Sequence, residues 1–253
     1  MQIIDGKLVA KVTREQIKQE VEVLKALNYP NAIGLAVILV GDDPASQVYV
    51  RNKIKACDEV GIKSFLCKLP AESTFDEVAG TIRYLNENPD VSGMILQLPL
   101  PKHLDENSLL DLIDPEKDVD GCHYVQKGRL IGRSNLVGKP LAQLLLDANC
   151  TVTICHSKTQ NLAEITSRAD IVCVAIGKAK FLTSDMVKNG AVVIDVGMDR
   201  DENGKLCGDV DFDSVAPKCS FITPVPGGVG PMTVTMLLAN TVKAYKAQNE
   251  IEV

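Results

Sequence analysis

The chain has no excess of basic residues. Its 27 lysines and arginines stand against 33 aspartates and glutamates, a net charge of −6. That balance argues against a nucleic-acid surface, while leaving room for a local basic pocket that reads one phosphate. It also has no apolar run approaching the roughly 20 residues that span a bilayer. The opening Met1-Gln-Ile-Ile-Asp-Gly-Lys7 lacks a basic region followed by an apolar stretch, so no secretory signal is expected. The expectation is a cytoplasmic protein with neither membrane nor nucleic acid as a partner. Repeats and low-complexity tracts are missing too. Cysteine is not scarce, with eight residues, but no two form a CxxC pair and several fall inside apolar runs. Buried reduced thiols are therefore expected, rather than disulfides or a metal site.

What is present is a chain 45% hydrophobic and 24% charged, enough for one large domain or two small ones. Helical and strand patterns alternate, which predicts an α/β fold with a mainly parallel sheet. Thr13-Arg-Glu-Gln16 reads as a capping box, followed by Ile17, Val21, Leu24 and Leu27 at helical spacing. Residues 32–40 are almost continuously apolar, as in a strand covered on both faces. A turn at Gly41-Asp-Asp-Pro44 leads into a helix carrying Ser46 to Glu59. Strands are predicted over 63–69, 91–98, 151–155, 170–176 and 191–196, and helices after Thr74, over 161–169 and over 232–248. The domain boundary falls near His123: a first domain of residues 1–122 joined by a final helix from 232, and a second of 123–231.

Polar residues at particular places carry the chemistry. Tyr49 and Lys53, four apart on one helix, share a face, so a ring and an amine stand together. Alone, that pair reads more readily as a surface lysine beside a half-buried tyrosine. Gln97 stands at the carboxyl end of an apolar strand, where open α/β sheets place ligands. Asp118-Val-Asp120-Gly121 reads, unsupported, as a turn. Gly132-Arg-Ser-Asn-Leu-Val-Gly138-Lys-Pro140 is a glycine-rich loop opening a helix, with backbone N–H groups suited to phosphate. It is not GxGxxG, so as a generic dinucleotide motif it is weak. Thr223-Pro-Val-Pro-Gly-Gly-Val-Gly-Pro-Met-Thr233 packs three prolines and three glycines into a tight loop before the last helix.

Taken together, YVRNK, QLPLP, KDVDG, GRSNLVGKP and the TPVPGGVGPMT segment resemble the bifunctional methylenetetrahydrofolate dehydrogenase/cyclohydrolase family. The likeness extends from Gly41 through nearly the whole chain and includes CHSKT, IDVGM and GDVD. It implies two α/β domains, an N-terminal substrate domain and a Rossmann-like domain binding NADP, in a homodimer. It implies oxidation of a tetrahydrofolate-type substrate, then hydrolysis of the methenyl product. Tyr49 would stack on the pterin, Lys53 would be the catalytic amine tuned by Gln97, and Asp120 would hold the pterin nitrogens. Pro226 and Gly227 would line the substrate site. The cofactor would meet Gly132, Arg133, Ser134, Ser157, Met198 and Thr233, with Arg133 favouring NADP over NAD through a ribose phosphate. His156 reads as structural or a weak anion contact.

The sequence departs from the family in one place. Only Cys122-His-Tyr-Val-Gln-Lys-Gly-Arg-Leu-Ile131 lies between Gly121 and Gly132, where the family carries a Pro-Cys-Thr-Pro-x-Gly motif, a joining helix and a central strand. Ten residues cannot supply both a crossover helix and a strand. The chain is then either a shortened variant or lacks a segment that the functional protein has. Two rivals follow: a degenerate non-catalytic paralogue, and a generic NAD(P) dehydrogenase of a small amino or hydroxy acid.

Overall fold

The computed structural model describes residues 1–29, 31–120 and 137–251. These fall into two units. One runs from Val12 through the first half and takes up Val234 onward; the other takes Met1–Lys11 and the second half through Thr233. The chain opens with β1 (Gln2–Ile3) and α1 (Gly6–Ala26). The helix starts earlier than expected. Asp5 Oδ1 accepts the N–H groups of Lys7 and Leu8 and so caps the first turn. The Thr13 segment is therefore helix interior. Ala10, Ile17, Val21 and Leu24 are buried along one face, whereas Leu27, past the helix end, is exposed.

In the first unit, β2 (Gly34–Val40) is buried along all seven residues. It pairs in parallel with β3 (Lys63–Leu69) on one side and β4 (Gly93–Leu96) on the other. Alternate side chains of β2 enter two different cores. Leu35, Val37 and Leu39 meet α1, α2 (Pro44–Val60) and the final helix. Ala36, Ile38 and Val40 meet α3 (Phe75–Glu87) and α4 (Glu106–Leu110). Each large aliphatic side chain buried this way contributes roughly 1.5–3 kcal/mol. The expected helix after Thr74 is present with its full capping box: Thr74 Oγ1 accepts from Glu77 N, and Glu77 Oε2 accepts from Thr74 N. Gly34 admits no side chain, because a Cβ there would lie 2.0 Å from the Asp90 carbonyl oxygen.

The second unit carries α5 (Gly138–Asp147), α6 (Leu162–Thr166), β5 (Ile171–Val174) and β6 (Val192–Asp195). The hairpin β7 (Asp199–Arg200) and β8 (Leu206–Cys207), the short helix α7 (Phe212–Val215) and β9 (Phe221–Ile222) follow, before the final helix α8 (Gly230–Gln248). Its parallel sheet has the order β1-β9-β6-β5. Gln2 pairs with Phe221 and Ile3 with Ile222, and the first eleven residues group with this unit. Residues 151–155, expected as a strand, form no ladder. An extended segment becomes a strand only beside another whose backbone groups it can satisfy, and no described residue offers that edge. The described cysteines are free. Among the described residues no helix is long and apolar enough to cross a membrane.

Candidate functional site

In the first unit, four residues singled out by sequence meet around the carboxyl ends of β2 and β4. The chain leaves β2 at Gly41 (φ +84°) and enters α2 through Asp43, whose carboxylate accepts from Ser46 N at 2.7 Å. That cap fixes where α2 begins, and so where Tyr49 and Lys53 stand, one turn apart. Tyr49 is 40% exposed and is not part of the buried core. Lys53 is half-buried and its Nζ donates to Gln97 Oε1 at 3.1 Å. Gln97 is itself fixed: its N–H donates to the Ile38 carbonyl at 2.9 Å and its Nε2 to the Leu98 carbonyl at 2.8 Å. With the amide nitrogen so engaged, the amide oxygen is left to face the lysine.

Asp120 reaches the same place through a strand-like connection. Met94 N donates to the Lys117 carbonyl at 2.8 Å, and Met94 and Asp118 form a parallel bridge. Lys117 is buried, its Nζ donating to the carbonyls of Leu85 and Asn88 near the end of α3, where a cation meets the helix's negative pole. Asn240 of α8 donates to the Val119 carbonyl at 3.0 Å. Desolvation raises the Asp120 carboxyl above its ordinary range; the Lys53 ammonium opposes that rise and Asp118 adds to it. The residue as a whole is exposed, so water tempers the effect. A ring face, an amine held by an amide oxygen and a carboxylate within electrostatic reach of the amine make a site for a flat, nitrogen-rich ligand and for proton transfer.

The second unit places other candidates at the carboxyl ends of its strands. Met198 follows β6 and is 57% exposed; Ile176 follows the neighbouring β5 and is 54% exposed. Large apolar side chains left open at adjacent strand ends suit a planar ring. Gly177 (φ +65°) has open space where a side chain would be. Ser157 is exposed within a tight turn in which His156 N donates to Thr159 Oγ1 and Lys158 N donates to His156 Nδ1. His156 thus accepts a hydrogen bond within its own turn, in keeping with a structural role. Pro226 follows a cis peptide bond, Gly227 has φ +106°, and exposed Thr233 donates from Oγ1 to the Gly230 carbonyl. Gly132, Arg133 and Ser134 lie outside the described residues. The sequence reading gave Asp195 and Asp209 no role beyond matching motifs, yet both are buried carboxylates in the second unit. Their position directly at and shortly after a strand end was the available signal.

Known proteins resemble this chain along its length. Residues 4–120 match the catalytic domain of tetrahydrofolate dehydrogenase/cyclohydrolase, and residues 112–249 its NAD(P)-binding domain. The bifunctional protein FolD of Campylobacter hominis is 53% identical over 279 aligned residues, covering 97% of this chain and 98% of that protein. The alignment is longer than the 253 residues here, so that relative carries residues with no counterpart in this chain. The crystal structure of the bifunctional dehydrogenase/cyclohydrolase FolD from Campylobacter jejuni superposes with a TM-score of 0.93 at 43% identity, covering 98% of this chain and 99% of that one. The Trypanosoma brucei enzyme, solved with NADP cofactor and inhibitor, superposes with a TM-score of 0.90 at 35% identity, covering 98% of each chain.

Proposed function

The chain belongs to the tetrahydrofolate dehydrogenase/cyclohydrolase family, and from that premise we propose that it oxidises 5,10-methylenetetrahydrofolate to the 5,10-methenyl form and hydrolyses that product to 10-formyltetrahydrofolate. The observation that carries the reading is the Lys53–Gln97 hydrogen bond beside Tyr49 and Asp120. A generic amino- or hydroxy-acid dehydrogenase gives no reason for that constellation.

The residues divide the work. Tyr49 offers its ring to one face of the pterin. Asp120, when ionised, accepts paired hydrogen bonds from the pterin's amino group and ring nitrogen, a charge-assisted arrangement. Both orient the one-carbon bridge, and orientation is most of what a hydride transfer asks of its protein. In the hydrolytic step water adds to the methenyl carbon, one carbon–nitrogen bond opens and a proton is released. Lys53 handles the proton at the attacking water, and Gln97 Oε1 holds the amine in line. Pro226 and Gly227 are assigned to the substrate side.

The exposed Ile176 and Met198 at adjacent strand ends, with open backbone at Gly177, fit a dinucleotide's nicotinamide half. When bound, NADP supplies the hydride acceptor. Ser157 and Arg133 would read its ribose phosphate, Gly132 and Ser134 its phosphates, and Met198 and Thr233 its nicotinamide side. The enzyme works in one-carbon metabolism in the cytoplasm, as a homodimer joined through the cofactor domain. The test is an NADP-dependent assay on methylenetetrahydrofolate paired with the intact mass of the active protein. Turnover at a mass of 27.3 kDa supports the reading for the chain as it stands. Activity only at a mass about thirty residues greater, the size of a helix plus a strand with turns, assigns it to a form that carries the family's additional segment. No activity in either form would overturn the reading.

A further inference from the structure

The second unit contains a chain of hydrogen bonds that ties together the carboxyl ends of three parallel strands. At the end of β9, Thr223 Oγ1 accepts from Asp195 N at 2.7 Å. Asp195 ends β6, and its own carboxylate accepts three backbone N–H groups: Gly197 at 2.9 Å, Asp209 at 3.0 Å and Val210 at 3.0 Å. Asp209 in turn accepts three from the loop after β5: Ile176 at 2.6 Å, Gly177 at 3.2 Å and Lys178 at 2.7 Å. Asp195 is 3% exposed and Asp209 fully buried. Neither carboxylate reaches a ligand from there, so their worth lies in what they hold.

Two glycines are fitted to this arrangement. A Cβ at Gly208 would lie 2.0 Å from Asp195 Oδ2, and one at Gly197 would lie 2.4 Å from Asp209 Cγ. The IDVGM and GDVD segments thus interlock, each supplying one carboxylate and one gap. Asp199 completes the group. Its carboxyl is raised in pKa by desolvation first and then by the neighbouring Asp209 carboxylate, because two carboxylates side by side do not both ionise readily.

We propose that Asp195 and Asp209 are positioning residues for the cofactor, holding the 176–178 and 196–198 loops in the single conformation that presents Ile176 and Met198 to it. This rests on the reading of the second unit as the NADP domain. Three N–H donors on one carboxylate leave a loop little freedom to rearrange, so the ordering cost is met on folding and not on binding.

The test begins with the unmodified protein. Amide hydrogen exchange should show Ile176, Gly177 and Lys178 protected to the same order as the β5 ladder before NADP is added. Free exchange at those amides overturns the proposal whatever any variant does. Asp209→Asn keeps the shape but turns one acceptor into a donor facing N–H groups. Exchange at the three amides should then speed up about tenfold or more, since each lost kilocalorie or so is worth nearly that factor. The dissociation constant for NADP, by calorimetry, should rise about tenfold, while KM for the folate substrate stays within about twofold. Faster exchange with unchanged NADP affinity overturns the positioning role, as does an equal loss toward both ligands, which marks a residue needed only for folding. Protected amides in a wild type that binds no NADP strike down the cofactor reading itself, and the proposal with it.

Discussion

Replacing Lys53 with methionine isolates the hydrolytic step. Methionine keeps an unbranched stem of similar length and removes only the amine. The side chain is half-buried, and among the interactions it gives up is the hydrogen bond to Gln97 Oε1 at 3.1 Å. A bond of that kind contributes about 1 kcal/mol net, so its loss lowers the melting temperature by about 2–4 °C in a protein of this size. The catalytic loss is larger. A positioned acid or base accelerates proton transfer by roughly 10²–10⁴-fold, equivalent to about 3–5 kcal/mol of barrier. Hydrolysis is followed by the decay of the methenyl chromophore, and NADP affinity by calorimetry on the same preparation. The expected result is hydrolysis down by at least about a hundredfold with NADP affinity unchanged. Hydrolysis within a few-fold of the wild type would refute the role given to Lys53, and a collapse of both readouts would show that the variant had not folded.

Three further outcomes follow from other residues. Arg133→Ala should weaken NADP far more than NAD, because a guanidinium pairs with the ribose phosphate that only NADP has; equal losses in calorimetry would remove Arg133 from that role. In the role proposed for it Asp120 binds the folate only when ionised, and its pKa is raised, by desolvation above all. Affinity should therefore fall on acidification at a pH above the ordinary carboxylate range, and a pH profile of KM that bends only near pH 4 would contradict this. Burial pushes the Cys57 thiol up to about 12, which leaves about one thiolate in ten thousand at pH 8. Iodoacetamide with peptide mapping should find Cys57 unlabelled in the native protein and labelled after denaturation, and rapid native labelling would contradict the burial.

Local signals were legible in the sequence wherever one segment held all the information. The apolar run that became β2 needed nothing beyond its own residues, and the Thr74–Glu77 box contains both partners of its reciprocal bonds. The start of α1 was misread because Asp5 and Thr13 both look like caps. Burial of Ala10 on the same face as Ile17 and Val21 decides for the earlier one. Two-residue strands such as β1 and β9 have no periodicity to detect; each exists because a distant partner does. Residues 151–155 show the converse, with strand-like composition and no described neighbour to pair with. In the candidate site, Lys53, Gln97, Tyr49 and Asp120 were found by motif. The carboxylate network around Asp195 and Asp209 was not, because seven hydrogen bonds between separate loops leave no spacing rule in the sequence.

The pairing of β1 with β9 bears on how the molecule is made. Residues 2 and 3 belong to a sheet whose matching edge, Phe221–Ile222, leaves the ribosome long after them. The first unit likewise waits for Leu237, Leu238 and Val242, which pack against β2 and α1. Neither unit is a continuous stretch of chain, so no single cut yields a complete half; the core between β2 and α3–α4 holds only residues from the first half, whereas the core under α8 does not. Until α8 is made, the β2 face that bears Leu35, Val37 and Leu39 and the apolar side of α1 lack part of their cover.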